Sequence, residues 1–68
     1  MSANLYGSPI PERELSTLRA LVHFGTYKGA ADFLGIREGV ARDRVWRLRR
    51  RLGAASTVQA VWTLRDRL

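Results

Sequence analysis

Sixty-eight residues with no cysteine, one histidine and a net charge of +6 describe one small basic domain without disulfides or a thiolate metal site. No apolar run approaches the roughly 20 residues that a membrane-spanning helix needs. The opening MSANLYGSPIP lacks the basic and apolar blocks of a secretory signal, so a cytoplasmic, bacterial or phage-encoded protein is the expectation.

The positive charge is one-sided. Residues 1–27 carry Arg13 and Arg19 against Glu12 and Glu14 and are neutral. Residues 28–68 carry ten basic residues against Asp32, Glu38, Asp43 and Asp66, and so hold the whole excess. A GC-rich genome explains arginine over lysine but not its clustering. A basic patch of this kind favours a polyanion, nucleic acid first.

Taken in order, residues 1–9 are small and polar and read as a flexible arm, with Leu5 and Tyr6 able to pack back. Pro9 and Pro11 keep Ile10 extended. Pro11 suits the first position of helix 1, and Glu12 and Glu14 then sit where the helix dipole favours anions. Leu15, Leu18, Leu21 and Val22 form its buried face, and Gly25 ends it. Thr26 caps a short helix 2 from Tyr27 to Leu34. Ala30 and Ala31 allow close helix approach there, Phe33 and Leu34 supply bulk, and Gly29 is unfavourable. Gly35 supplies the positive φ of the turn and Ile36 plugs the corner.

Helix 3 is expected over about 38–52, closed by Gly53. Ala41, Val45, Leu48 and Leu52 recur at i, i+4, i+7 and i+11, one stripe of a helical wheel. Six of the ten residues from Arg42 to Arg51 are arginine. Arg42 and Arg49 flank one edge of the helix, and Arg44 and Arg51 flank the other. Asp43, Trp46, Arg47 and Arg50 point outward. A helix pinned by an apolar seam and showing guanidiniums to solvent suits a DNA major groove. Ser56 and Gln59 fit a capping box that opens helix 4. Val58, Val61, Trp62, Arg65 and Leu68 share one side of it. No strand-like alternation is present, so the domain, residues 10–68, is read as all-α with four helices.

Two helices joined by a glycine turn, the second basic, suggest a helix-turn-helix. From Ile10 to about Trp62 the chain resembles, without gaps, the LuxR/GerE-type helix-turn-helix domain. Arg13–Glu14 and Leu18 sit at that family's arginine–glutamate pair and following leucine. Lys28, Ala31, Leu34, Gly35 and Ile36 fit its helix 2 and turn, Arg42 stands at its recognition-helix lysine, and Leu48, Arg51–Leu52 and Ala60–Val61–Trp62 continue the register. The resemblance implies a four-helix fold with helix 3 in the major groove of double-stranded DNA, helix 2 and the turn on phosphates, and helix 4 as a frequent dimer contact. It puts Lys28 on phosphate, Arg42 on a base edge or phosphate, and Asp43 and Trp46 against DNA. Such a regulator normally carries a second, controlling domain. A standalone chain would depend on concentration, dimerisation or a partner, unless it is a piece of a longer protein.

The pattern departs from the family at four positions. Arg37 replaces the usual hydroxyl cap of helix 3 and Val40 replaces a threonine. Asp43 either accepts from a cytosine amino group or pairs with Arg47 four residues on. Trp46 either stacks on Arg42 or Arg50, touches a thymine methyl, marks a protein interface, or turns into the core.

The resulting expectation is a sequence-specific transcriptional regulator that is not an enzyme and needs no cofactor or metal. Arg42, Arg47 and Arg50 are the best DNA contacts, with Lys28, Arg37, Arg44 and Arg49 on or near phosphates. Val61, Trp62, Arg65 and Leu68 are the candidate homodimer face. His23 has no carboxylate or nucleophile spaced to make it a general base, while Arg13 and Glu14 suit ion pairs that brace helix 1 against helix 3. The rival is a protein-interaction module on the same fold that binds RNA polymerase, a sigma factor or another regulator through Val40, Asp43 and Trp46.

Overall fold

A computed structural model describes residues 9–68; the proposed arm, with Leu5 and Tyr6, lies almost wholly outside the described residues. The described chain is all-α, with helices α1 (Glu12–Phe24), α2 (Tyr27–Leu34), α3 (Glu38–Leu52) and α4 (Thr57–Leu64) and a closing 3₁₀ turn at Arg65–Arg67. Helices α1, α2 and α3 touch one another pairwise, and α4 lies against α3. None of these helices is long and apolar enough to cross a membrane.

Local chemistry sets the helix ends. Pro11 is the extended cap residue of α1 rather than its first helical residue. Its carbonyl accepts from the Glu14 and Leu15 amides. The Thr26 hydroxyl accepts from the Gly29 amide at 2.9 Å and opens α2. The Ser56 hydroxyl accepts from the Gln59 amide at 3.1 Å and opens α4. The return half of that capping box is displaced, because the Gln59 side chain accepts from the Ala55 amide instead of the Ser56 amide.

Gly35 and Gly53 close α2 and α3 at φ 71° and 67°. At each, the following amide reaches back five residues: Ile36 to the Ala31 carbonyl at 3.0 Å and Ala54 to the Arg49 carbonyl at 2.9 Å. Only a residue tolerant of the left-handed region closes a helix this way without strain. The turn at Gly35 sets how α3 leaves α2, and so which face of α3 is turned inward.

The core is Leu15, Leu18, Val45, Leu48, Leu52, Ala60 and Leu64. Full burial of each leucine or valine side chain contributes about 1.5–3 kcal/mol against exposure. Ala30, Ala31 and Ala41 are buried too, so α2 and α3 approach over small side chains. Val22, expected on the buried face of α1, is 52% exposed, and Phe33, expected to supply apolar bulk on α2, is 68% exposed. Leu15, Leu18 and partly buried Leu21 carry the α1 stripe, and Val22 lies one helical step past its edge. On α2 the alanines take the close-packed positions and leave Phe33 on the outer side.

An ion pair crosses this core. The Glu14 carboxylate on α1 is buried and accepts two hydrogen bonds from Arg51 on α3, Nε to Oε1 at 2.8 Å and Nη2 to Oε2 at 3.2 Å. This is the brace expected of Glu14, while the Arg13 carbonyl accepts from the buried Thr17 hydroxyl at 2.6 Å. The hydrogen bond to Glu14 raises the Arg51 pKa, burial opposes the rise, and the carboxylate's charge adds to it. A raised pKa on a cation means stability present at lower pH and lost only as pH climbs through it. That window is strongly alkaline, so the guanidinium adds no pH dependence near neutrality.

Candidate nucleic-acid interface

Helix α3 has two unlike faces. Ala41, Val45 and Leu48 are 0%, 1% and 0% exposed and Leu52 is 9% exposed, so the seam read from the spacing is the buried one. Opposite it, Arg42, Asp43, Trp46, Arg47 and Arg50 are exposed. The two edges also fall where the wheel puts them. Arg51 reaches α1 through Glu14, while Arg42 lies over the Tyr27 ring of α2, 4.7 Å from its centroid.

The outward arginines are organised by near neighbours. Arg42 Nη2 donates to Glu38 at 2.6 Å, and Arg47 Nε donates to Asp43 at 2.8 Å, both across one helical turn. The pairing reading of Asp43 therefore describes the free chain. Trp46 is half exposed, which removes the core reading, and the Arg50 guanidinium lies 4.9 Å from its ring centroid. Exposed pairs at this spacing are worth only about 0.3–0.5 kcal/mol. A phosphate, which accepts bidentate charge-assisted bonds from guanidinium, competes well with such a partner.

Arg49 is held differently. Its Nη2 donates to the Ala55 carbonyl at 2.7 Å in the turn after α3. Its Nε is buried with no hydrogen-bond partner. Tyr27, Arg42, Asp43, Val45, Trp46 and Arg49 line one open groove of about 360 Å³. It presents two guanidiniums, one carboxylate and two aromatic rings along the outward flank of α3. Tyr27 and Glu38 were not among the residues expected here. The spacing of Glu38 four before Arg42 is a signal that finds one of them; Tyr27 needs the α2–α3 packing.

The other expected contacts stand outside the groove lining. Lys28 on α2 is exposed and pairs with Asp32 at 3.1 Å. Arg37 precedes α3 as its cap residue and makes no side-chain cap bond. Arg44 is half-buried, on the same edge of α3 as Arg51. A side chain added at Gly39 would meet nothing within 4 Å, so the domain's own packing does not require glycine there.

The proposed dimer face divides in two. Trp62 is 67% exposed, and Arg65 covers it with its guanidinium 4.3 Å from the ring centroid. Val61 and Leu68 are partly buried against the core and offer less free surface. Val58, 78% exposed, lies one turn before Trp62 and adds to the free apolar surface.

His23 stacks edge-on against Phe24 at 4.7 Å. Among the described residues no three His, Cys, Asp or Glu side chains come together as a metal site would need. Compared with family models, curated proteins and solved structures, the chain matches none of them.

Proposed function

We propose that this chain is a small DNA-binding regulator of transcription, built as a LuxR/GerE-type helix-turn-helix domain, with α3 in the major groove. The observation that carries the reading is the division of α3, whose buried aliphatic seam holds the helix while Arg42, Arg47 and Arg50 stand outward. Three features of the geometry fit it. The exposed pairs of Arg42 with Glu38 and Arg47 with Asp43 are weak enough to yield to a competing phosphate. Gly39 leaves the first turn of α3 open to close backbone approach. Lys28, Arg37 and Arg44 add positive charge around the same helix. Dimerisation would use the Val58–Trp62–Arg65 side of α4, and the protein would act in the cytoplasm.

One observation favours a second reading. The outward face is not purely cationic: Val40 and Trp46 are 40% and 51% exposed beside the internally paired Arg42 and Arg47. That mixed surface would suit RNA polymerase, a sigma factor or another regulator as partner.

Fluorescence anisotropy with labelled duplex DNA across a salt series tests the leading reading. Neutralising about five phosphates gives a slope of about −4.5 in log affinity against log salt. Absence of binding at low salt, or binding indifferent to salt, would refute it.

A further inference from the structure

The three outward arginines of α3 are not held alike. Among the described residues, Arg47 and Arg50 each have one side-chain contact, on α3 itself: Arg47 with Asp43 and Arg50 with Trp46. Arg42 has two, on two helices. Its Nη2 donates to the Glu38 carboxylate at 2.6 Å, and its guanidinium lies over the Tyr27 ring of α2, 4.7 Å from the centroid. The Arg42 side chain is still 59% exposed, so it remains open to a ligand.

Both partners are themselves seated. Tyr27 opens α2 directly after the Thr26 cap and packs, partly buried, against the core. Glu38 stands in the first turn of α3, where the helix dipole favours a carboxylate. The carboxylate holds one edge of the guanidinium and the ring supports one face of it. Position and plane are both restrained. A fixed plane matters little to a phosphate, which positions a protein without reading sequence. It matters to a base, whose acceptors lie along one edge in the plane of the base pair.

The donor pattern narrows the base. A guanidinium has five N–H donors and no acceptor. One hydrogen bond from Nη2 to Glu38 leaves a two-donor edge open, either Nη1 with Nη2 or Nε with Nη2. In the major groove guanine offers two adjacent acceptors, O6 and N7. Adenine and cytosine each place an amino donor there, which arginine cannot accept, and thymine offers one acceptor beside its methyl. Asp43, a rival acceptor in the same groove, is taken by Arg47 Nε at 2.8 Å.

We infer that Tyr27 and Glu38 are positioning residues that set Arg42 to read a guanine through its O6 and N7. The inference deepens the DNA reading and rests on it. A guanine contact, unlike a phosphate taken in exchange for Glu38, leaves the Glu38 bond in place.

The test selects duplexes from a random library with the full chain, then measures anisotropy on the selected duplex and on single-base-pair changes of it. Arg42→Ala identifies the guanine whose preference depends on Arg42. The unaltered chain is expected to favour that guanine over adenine by about ten-fold or more. Tyr27→Leu is expected to lower this ratio by about three-fold and Glu38→Ala by about two-fold. Tyr27→Phe, which keeps the ring, is expected to retain it. Circular dichroism checks that each variant folds. Glu38 is exposed, so Glu38→Ala decides the matter should Tyr27→Leu not fold. No binding to any duplex removes the DNA reading, and this inference with it. Three results overturn the inference alone, with salt-dependent duplex binding intact: no guanine that depends on Arg42, a ratio unchanged in either folded variant, or both duplexes weakened equally.

Discussion

Leu48→Ala is expected to cost the domain about 2–5 kcal/mol, the range for emptying a fully buried leucine site. Leu48 is 0% exposed and sits in the core with Leu18 and Val45. A chain of this length has roughly 3–10 kcal/mol of stability in total, at about 0.05–0.15 kcal/mol per residue. The loss is therefore a large share of the whole. At about 4–8 °C per kcal/mol, thermal melting followed by circular dichroism should fall by about 10 °C or more. Val40→Ala, on the exposed side of the same helix, should change stability by less than about 0.5 kcal/mol. Equal effects of the two would mean that the seam does not anchor α3.

The second large effect concerns the charges that the seam holds in place. Arg44→Ala combined with Arg50→Ala should flatten the salt dependence of duplex binding from a slope of about −4.5 to about −2.7, because each lost phosphate contact removes about 0.9. Affinity at low salt should fall with it. Neither residue has a protein carboxylate partner among the described interactions: Arg44 is half-buried, and Arg50 rests on Trp46. The fold should survive, since neither side chain belongs to the core. An unchanged slope in an anisotropy titration would place the phosphates elsewhere on the molecule.

Much of this architecture is legible in the sequence because it is local. Thr26, Gly35 and Gly53 each set a helix end through bonds spanning five residues or fewer, and α2 and α3 run between them with the expected bounds. The buried seam of α3 is equally local, a matter of spacing along one helix. Long-range choices are less readable. Nothing near Glu14 names Arg51, 37 residues on, as its partner. The wheel gives only the edge of α3 on which Arg51 lies.

Helix α2 shows the limit most clearly. Its eight residues put apolar side chains on more than one side. Spacing alone cannot say that Ala30 and Ala31, rather than Phe33, face the neighbours. Packing decides it, because small side chains let α2 approach closely and leave the bulky ring outside. Val22 is lost to the core for a similar reason, one residue beyond the stripe that α3 covers. The outward face of α3 was legible as charge, but its internal organisation was only partly so. The Asp43–Arg47 pair follows from spacing, whereas Arg49 reaches Ala55 only because the chain turns back after Gly53.

The claim at the centre is that the flank of α3 opposite its buried seam is the part that meets DNA. Trp46 reports on that flank, and Trp62→Phe leaves it the only indole of the chain. Its fluorescence, followed while duplex DNA is added to that variant at low salt, is expected to quench in step with anisotropy and to recover when salt is raised. Saturable duplex binding with Trp46 emission unmoved, or no binding at all, would contradict the account.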